Sequence, residues 1–269
     1  MKELRDFCRQ KLSGRSQNME ESNNMWNKRA GEFRKMLDEE PASTNDPIGF
    51  LKSRAELKGA SIVDVGCGAG RYLVGMLQEG MDAEGIEPST EMVKQARDYI
   101  DHKGFDHKKV LIHNVSFQDF NKEKEYDYAF ISNSPVIGFY ENYSKIAGLA
   151  RKGILVNSWL NVKDEFLEEI GKKLGKTAKP HGGPGMIYLM NLFLADGYDV
   201  ELKTETKAVE KRSAPDSFCQ KYTSWFYGSG YSEEQLEEIK KIIASYCDED
   251  GKVTIKTRQK TGLLYVKLD

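Results

Sequence analysis

Three glycines at every second position, Gly66, Gly68 and Gly70, separate an apolar run from a helical one in "ASIVDVGCGAGRYLVGMLQEG". This junction constrains the fold more than any other part of the chain. Glycine at a strand-to-helix turn permits left-handed backbone and close approach of a ligand, and the helix N-terminus that follows favours an anion. The spacing is G-x-G-x-G, with Arg71 where the dinucleotide fingerprint has its third glycine, which argues against a nicotinamide site. A tight turn alone would also need the glycines.

Short apolar runs alternate with longer amphipathic ones on either side of the loop: "ASIVDVG", "RYLVGMLQEG", "MDAEGIE", "STEMVKQARDYI", "VLIHN", "YDYAFIS" and "GILVNSW". Strand, helix, strand, helix is the mark of a parallel sheet covered by helices on both faces. Further on, "IYLMNLFLADG" reads as a helix and "YDVELKTETKAV" as a long polar strand. "APDSFCQKYTSWFYGSG" and "SEEQLEEIKKIIASYC" read as two helices, and "KVTIKTRQKTGLLYVKL" as strand material with a turn near Gln259 to Gly262. Residues 1 to about 40 carry apolar residues at helical spacing, Leu4, Phe7, Cys8 and Leu12, then Met25, Trp26, Ala30, Phe33 and Leu37, and predict two helices. "EEPASTNDPIGF" reads as the linker to the core.

Composition narrows the function. With 40 Lys plus Arg against 42 Asp plus Glu the net charge is -2, so the chain is no bulk polyanion binder. No apolar run approaches the ~18 residues that span a bilayer, and "MKELRDFCRQKLSGRSQ" lacks the apolar region of a secretory signal, so no membrane association and a cytoplasmic location are expected. Cys8, Cys67, Cys219 and Cys247 form no CxxC pair and have no His at zinc spacing; reduced thiols and no metal are expected.

Glu87 ends the strand after the glycine loop, 17 residues beyond Gly70, where an acid can accept both hydroxyls of a ribose. Pro88 and Ser89 then open a helix, with Ser89 as N-cap and Met92 following. At this point the chain resembles the class I S-adenosylmethionine-dependent methyltransferases, through "VDVGCGAG", "GIEPSTEMVKQAR", "VLIHNVSFQDF" and "YDYAFISNSPVIG" over residues 58 to 160. The resemblance implies a seven-stranded, mostly parallel Rossmann-like α/β sheet with helices on both faces. Its last two strands would be antiparallel at the edge, with a helical insertion at about 208–250 before the last of them. It also implies an N-terminal helical lid over residues 1–45, in which "MWNKRAGEF" folds over the cofactor, ahead of a methyltransferase domain at 46–269. The cofactor implied is S-adenosyl-L-methionine, with S-adenosyl-L-homocysteine as product. By resemblance, Gly66 and Gly68, with their neighbour Cys67, lie against its methionine part and Asp64 serves its ammonium. Glu87 and Pro88 flank the ribose, and Asn114, Ser116 and Phe117 flank the adenine. Trp26, Arg29 and Phe33 share one helical face, which places Trp26 and Arg29 toward the cofactor.

Acceptors in open parallel sheets bind at the carboxyl ends of the strands, which points to Asn133, Ser134 and Pro135 after the fourth strand and to Asn157 and Trp159 after the fifth. "NSPV" matches two of four places of the N-P-P-aromatic loop of amine methyltransferases, with Asn133 as a catalytic candidate. His181 in "KPHGGPG" is the candidate general base, and Tyr140 and Tyr143 are candidates to orient the acceptor. His102, His107 and His113 read as solvated or structural. The expected activity is methyl transfer to a small molecule. The alternatives are an RNA or protein methyltransferase and, from another class, a non-catalytic cofactor-binding sensor or scaffold.

Overall fold

Ile62, Val63 and Val65 of β1 (Ser61–Val65) are closed to water, and so are Ala129, Phe130 and Ile131 of β4 (Tyr126–Ser132), as central strands covered on both faces must be. In the computed structural model, which describes residues 1–13, 18–39, 46–177, 183–228 and 230–269, these two strands lie at the centre of a seven-stranded sheet. Its order is β3-β2-β1-β4-β5-β7-β6. The remaining strands are β2 (Asp82–Ile86), β3 (Ile112–His113), β5 (Ala150–Asp164), β6 (Asp199–Ser213) and β7 (Val253–Lys267). The pairs β1–β2, β1–β4, β2–β3 and β4–β5 are parallel, so the order reverses direction between β1 and β4 and opens a crevice at their carboxyl ends. β6, at the edge, alternates exposed and half-buried residues and is rich in Lys and Glu, which discourages pairing with another sheet.

The helices follow from local chemistry. Gly70, at φ 85°, precedes α4 (Arg71–Gln78), whose Leu73, Val74 and Met76 are buried. α5 (Thr90–His102) is capped by Ser89, whose Oγ accepts from the Met92 N–H, and buries Met92, Val93, Ala96, Tyr99 and Ile100 at helical spacing. The two expected N-terminal helices are α1 (Lys2–Leu12) and α2 (Met19–Glu39); α1 packs on α8 (Gly185–Ala195) and α2 on α5.

Two expectations are corrected. Part of the presumed linker is helical: α3 (Pro47–Lys52) begins where Asp46 accepts from the Gly49 N–H at 2.8 Å with Pro47 in the first turn, and it buries Ile48, Phe50 and Leu51. An Asp-Pro pair is a helix start as readily as a turn. The turn near Gln259 to Gly262 is absent, because β7 continues unbroken and its polar run alternates exposed Lys256, Arg258 and Lys260 with half-buried Thr257 and Gln259. Gly262 is not among the glycines with positive φ, so nothing reverses the chain there.

The described residues group into two compact units. The first comprises Met1–Ser158, Pro184–Thr204 and Gly262–Asp269, and so holds the N-terminal helices with β1 to β4. The second comprises Trp159–Gly183 and Glu205–Thr261. Its core is formed by Phe166, Leu167 and Ile170 of α7 (Glu165–Leu174), Phe218, Cys219 and Tyr222 of α9 (Asp216–Tyr227), and Ile239 and Ile243 of α10 (Glu233–Ala244). The last two helices stand between β6 and β7, where the inserted helical segment is expected.

Gly153 of β5 has no room for a side chain, since a Cβ there would sit 2.7 Å from Tyr265 Oη and 2.8 Å from its Cε2. Gly153→Val is therefore expected to cost about 1–3 kcal/mol through overpacking, read as a lower denaturant midpoint. Tyr265→Ser in the same background should restore part of that loss.

Candidate cofactor and acceptor site

Asp64, at the carboxyl end of β1, is 1% exposed, and neither of its carboxylate oxygens has a hydrogen-bond partner among the described residues. Burial, and after it the negative charge of Glu87, raises its pKa well above the ordinary carboxyl value. A buried carboxylate without a donor is costly, so Asp64 is suited to a cationic or hydrogen-bonding group that the described residues do not supply.

The loop after Asp64 is tied down from one side only. The N–H groups of Gly66 and Cys67 both donate to the Ile86 carbonyl, at 2.8 and 3.1 Å. Gly66, Gly68 and Gly70 all have left-handed φ, 78°, 54° and 85°. A Cβ on Gly66 would lie 2.9 Å from Ser134 Oγ, which brings the glycine loop against the loop after β4, whereas a Cβ on Gly68 would meet nothing within 4 Å. The space over Gly68 is open for a ligand to lie on the main chain. Cys67 is buried, and burial first, then the charges of Asp64 and Glu87, push its thiol well up, so it stays protonated and faces any ligand through its backbone.

Glu87 is 6% exposed and joins this loop to the next turn. Its Oε2 accepts from the Gly68 N–H at 3.0 Å and its Oε1 from the Ser89 N–H at 2.9 Å. Desolvation raises its pKa and those two donors oppose the rise. A carboxylate offers about four lone-pair sites, so Glu87 can hold the loop and still accept from two ribose hydroxyls. Pro88 lies in the turn and its carbonyl accepts from Asn114 Nδ2 at 3.0 Å; the same amide donates to the Glu87 carbonyl at 2.9 Å. The Asn114 amide group thus braces the turn after β2. Ser116 and Asp119 close a local turn, with Oγ donating to Asp119 Oδ2 at 2.6 Å, and Phe117 is 3% exposed with the Lys145 ammonium 5.2 Å from its ring centroid.

Sequence reasoning missed Asn27. Its Oδ1 accepts from Ser89 Oγ at 2.7 Å and from the Glu91 N–H at 3.2 Å, which latches α2 to the first turn of α5. Seven residues on, the Arg34 guanidinium lies over the Tyr99 ring, so α2 runs parallel to α5. Residues 19–26 therefore extend past the start of α5 by about 12 Å at 1.5 Å per residue. Trp26, Arg29 and Phe33 do meet: the two rings are 5.5 Å apart and the guanidinium lies 5.5 and 5.2 Å from them, while Trp26 and Phe33 also pack on the main core.

The acceptor candidates divide. Asn133, exposed and at φ 49°, turns the chain out of β4, its N–H donating to the Asn157 carbonyl at 2.8 Å; Ser134 is buried and Pro135 starts a 3-10 turn. Asn157 Nδ2 donates to Ser132 Oγ at 3.0 Å and to Tyr72 Oη at 3.3 Å, and Tyr72 is a second residue that sequence reasoning did not find. Tyr140 and Tyr143 are engaged elsewhere: Tyr140 lies under the Arg9 guanidinium beside Cys8, Leu12 and Leu192, and Tyr143 donates to Asp196, which also pairs with Arg5. Together they hold α1 on α8. Trp159 is 40% exposed and belongs to the second unit. His181 lies outside the described residues. His107 contacts Asp101 and His113 contacts Glu84, as structural histidines do.

Residues 62–150 match the family described as a methyltransferase domain, and no curated relative matches the sequence. Among solved structures, the chain is similar to magnesium protoporphyrin IX methyltransferase from Synechocystis PCC 6803, crystallised with bound S-adenosylhomocysteine. The TM-score is 0.56 at 14% identity, covering 93% of this chain and 99% of that one. It is also similar to a putative methyltransferase from Bacillus halodurans, with TM-score 0.52 at 12% identity and coverage of 83% and 98%. At such identities the likeness establishes the fold. No helix among the described residues is long and apolar enough to cross a membrane.

The raised pKa of Asp64 has a definite sign for stability. The folded chain holds this proton more tightly than the unfolded chain, so the contribution is complete below the ordinary carboxyl range and is lost as pH rises through the raised value. Asp64→Asn is expected to raise the melting temperature of the ligand-free protein at neutral pH, to flatten its decline as pH rises through that range, and to weaken S-adenosylhomocysteine binding about 10- to 100-fold. Calorimetry across pH checks all three.

Proposed function

We propose that this chain is a class I S-adenosylmethionine-dependent methyltransferase and that it transfers the methyl group to a small molecule held at the carboxyl end of β4, beside Asn157 of β5. The register of α2 on α5 supports this reading, because a helix latched by Asn27 with its first residues extending past the start of α5 would cover the crevice above Asp64 and Glu87. The near-zero net charge supports a small molecule over RNA.

The bound cofactor supplies a methyl group on a positively charged sulfur. The acceptor's lone pair bonds to the methyl carbon as the carbon–sulfur pair returns to sulfur, leaving a neutral thioether. Such a displacement asks for alignment and dryness more than for proton transfer. Asp64 would hold the ammonium, its buried charge satisfied only then. Glu87 would fix the ribose while its bonds to Gly68 and Ser89 keep the loop in shape. The backbone at Gly66 and Gly68 would lie along the methionine part, and the overhanging start of α2 would exclude water.

Methyl-labelled cofactor offered to small-molecule, RNA and protein pools is expected to label the small-molecule pool; label confined to RNA or protein overturns the reading. Asn27→Ala should leave the sheet folded, raise the dissociation constant of S-adenosylhomocysteine several-fold, and remove the cofactor-dependent slowing of amide exchange in residues 19–30. Exchange there that ignores cofactor in the wild type would rule out a lid.

A further inference from the structure

The amide of Asn157 is 4% exposed and spends both its hydrogens on hydroxyls, Ser132 Oγ at 3.0 Å and Tyr72 Oη at 3.3 Å. Among the described residues these are the hydrogen bonds of both hydroxyls, and in each the hydroxyl accepts. A hydroxyl that accepts still owns one proton to donate. Both are half-buried and so remain within reach of a ligand.

Three elements fix the pair in place. Ser132 and Asn157 are directly opposite partners in the β4–β5 ladder, so their side chains share one face of the sheet. Phe130, two residues before Ser132 on that face, carries the Tyr72 ring edge-on at 4.9 Å, which orients Tyr72 from the first turn of α4. The neighbouring loop after β4 touches the glycine loop at Gly66 and Ser134. The two hydroxyls thus stand at the carboxyl end of β4, beside the middle of β5 and next to the loop on which the methionine part would lie. The loop after β4, from Asn133 to Asn142, contains no Lys or Arg, so the donors it can set beside these hydroxyls are neutral.

We propose that Tyr72 and Ser132 bind the acceptor, with Asn157 as the positioning residue that turns both hydroxyl protons outward, and that the acceptor class is a small molecule carrying a carbonyl or carboxylate oxygen beside its nucleophilic atom. An oxygen with two lone pairs matches two convergent O–H donors, while an acceptor made only of amine and hydrocarbon leaves both unpaired. This inference rests on the reading of the chain as a small-molecule methyltransferase.

The test uses the full chain, methyl-labelled cofactor and the small-molecule fraction of a metabolite extract, followed by kinetics on the unlabelled precursor of the labelled product. The product is expected to bear a carbonyl or carboxylate. Tyr72→Phe and Ser132→Ala should each raise the KM of that precursor about tenfold, the scale of one hydrogen bond, with kcat within about threefold and S-adenosylhomocysteine affinity unchanged. Ser132→Thr, which keeps the hydroxyl, should retain the wild-type KM. Asn157→Asp, which accepts where the amide donates, should capture both protons and raise KM at least as much. A product without such an oxygen, or a KM that ignores both hydroxyl deletions, overturns the inference while leaving the methyltransferase reading intact. A chain that fails to bind S-adenosylhomocysteine, or that binds it and labels no small molecule, overturns the reading itself and the inference with it.

Discussion

Two turns that begin 22 residues apart, the glycine loop from Gly66 and the Pro88-Ser89 turn, are held as one surface by the carboxylate of Glu87. It takes an N–H from each and is nearly closed to water, so both turns lose their register if it is removed. Ser89, fixed in this way, then caps α5 with the same hydroxyl that donates to Asn27. The Glu87 carboxylate, the first turn of α5 and the latch on α2 are therefore one hydrogen-bonded chain. Asn114 braces it from β3 through the Glu87 and Pro88 carbonyls.

Asp64 is the opposite case. Glu87 is buried and satisfied, whereas Asp64 is buried and has no donor among the described residues. Replacing it with a neutral side chain would relieve the fold, so the proposed cation at Asp64 would account for a residue that the fold alone does not favour. The two acids lie at the ends of adjacent strands, and the charge of one raises the pKa of the other. A cationic group arriving at Asp64 lowers the cost of both.

The sheet, the glycine loop, Glu87 and the Ser89 cap were legible in the sequence because each is a local pattern: strands and helices alternate, glycines punctuate a turn, and a serine stands three residues before the N–H it receives. Asn27, Tyr72 and Asn157 acting together were not. Asn27 is separated from Ser89 by 62 positions and Tyr72 from Asn157 by 85, and nothing in a solvated-looking "WNKR" or in "GRYL" marks the partner. The proximity of Tyr140 and Tyr143 to β4 suggested the acceptor; in the fold the Tyr140 ring lies under the Arg9 guanidinium and the Tyr143 hydroxyl donates to Asp196. The turn expected near Gln259 came from weighing a polar run and a glycine above the period-two alternation that continues through them. The helix at Pro47 was hidden because Asp-Pro also opens loops.

The docking of α1 also sets an order in time. Its partners on α8 stand about 190 residues further along the chain, where Arg5 meets Asp196. A ribosome adding roughly 5–20 residues per second leaves a gap of about 10 to 40 seconds between the synthesis of the two. Through that interval Cys8 and Leu12, closed to water in the finished protein, have no Leu192 to cover them. A helix made long before its partner is thus late to find its place, and nascent α1 is a surface that a chaperone meets before α8 does.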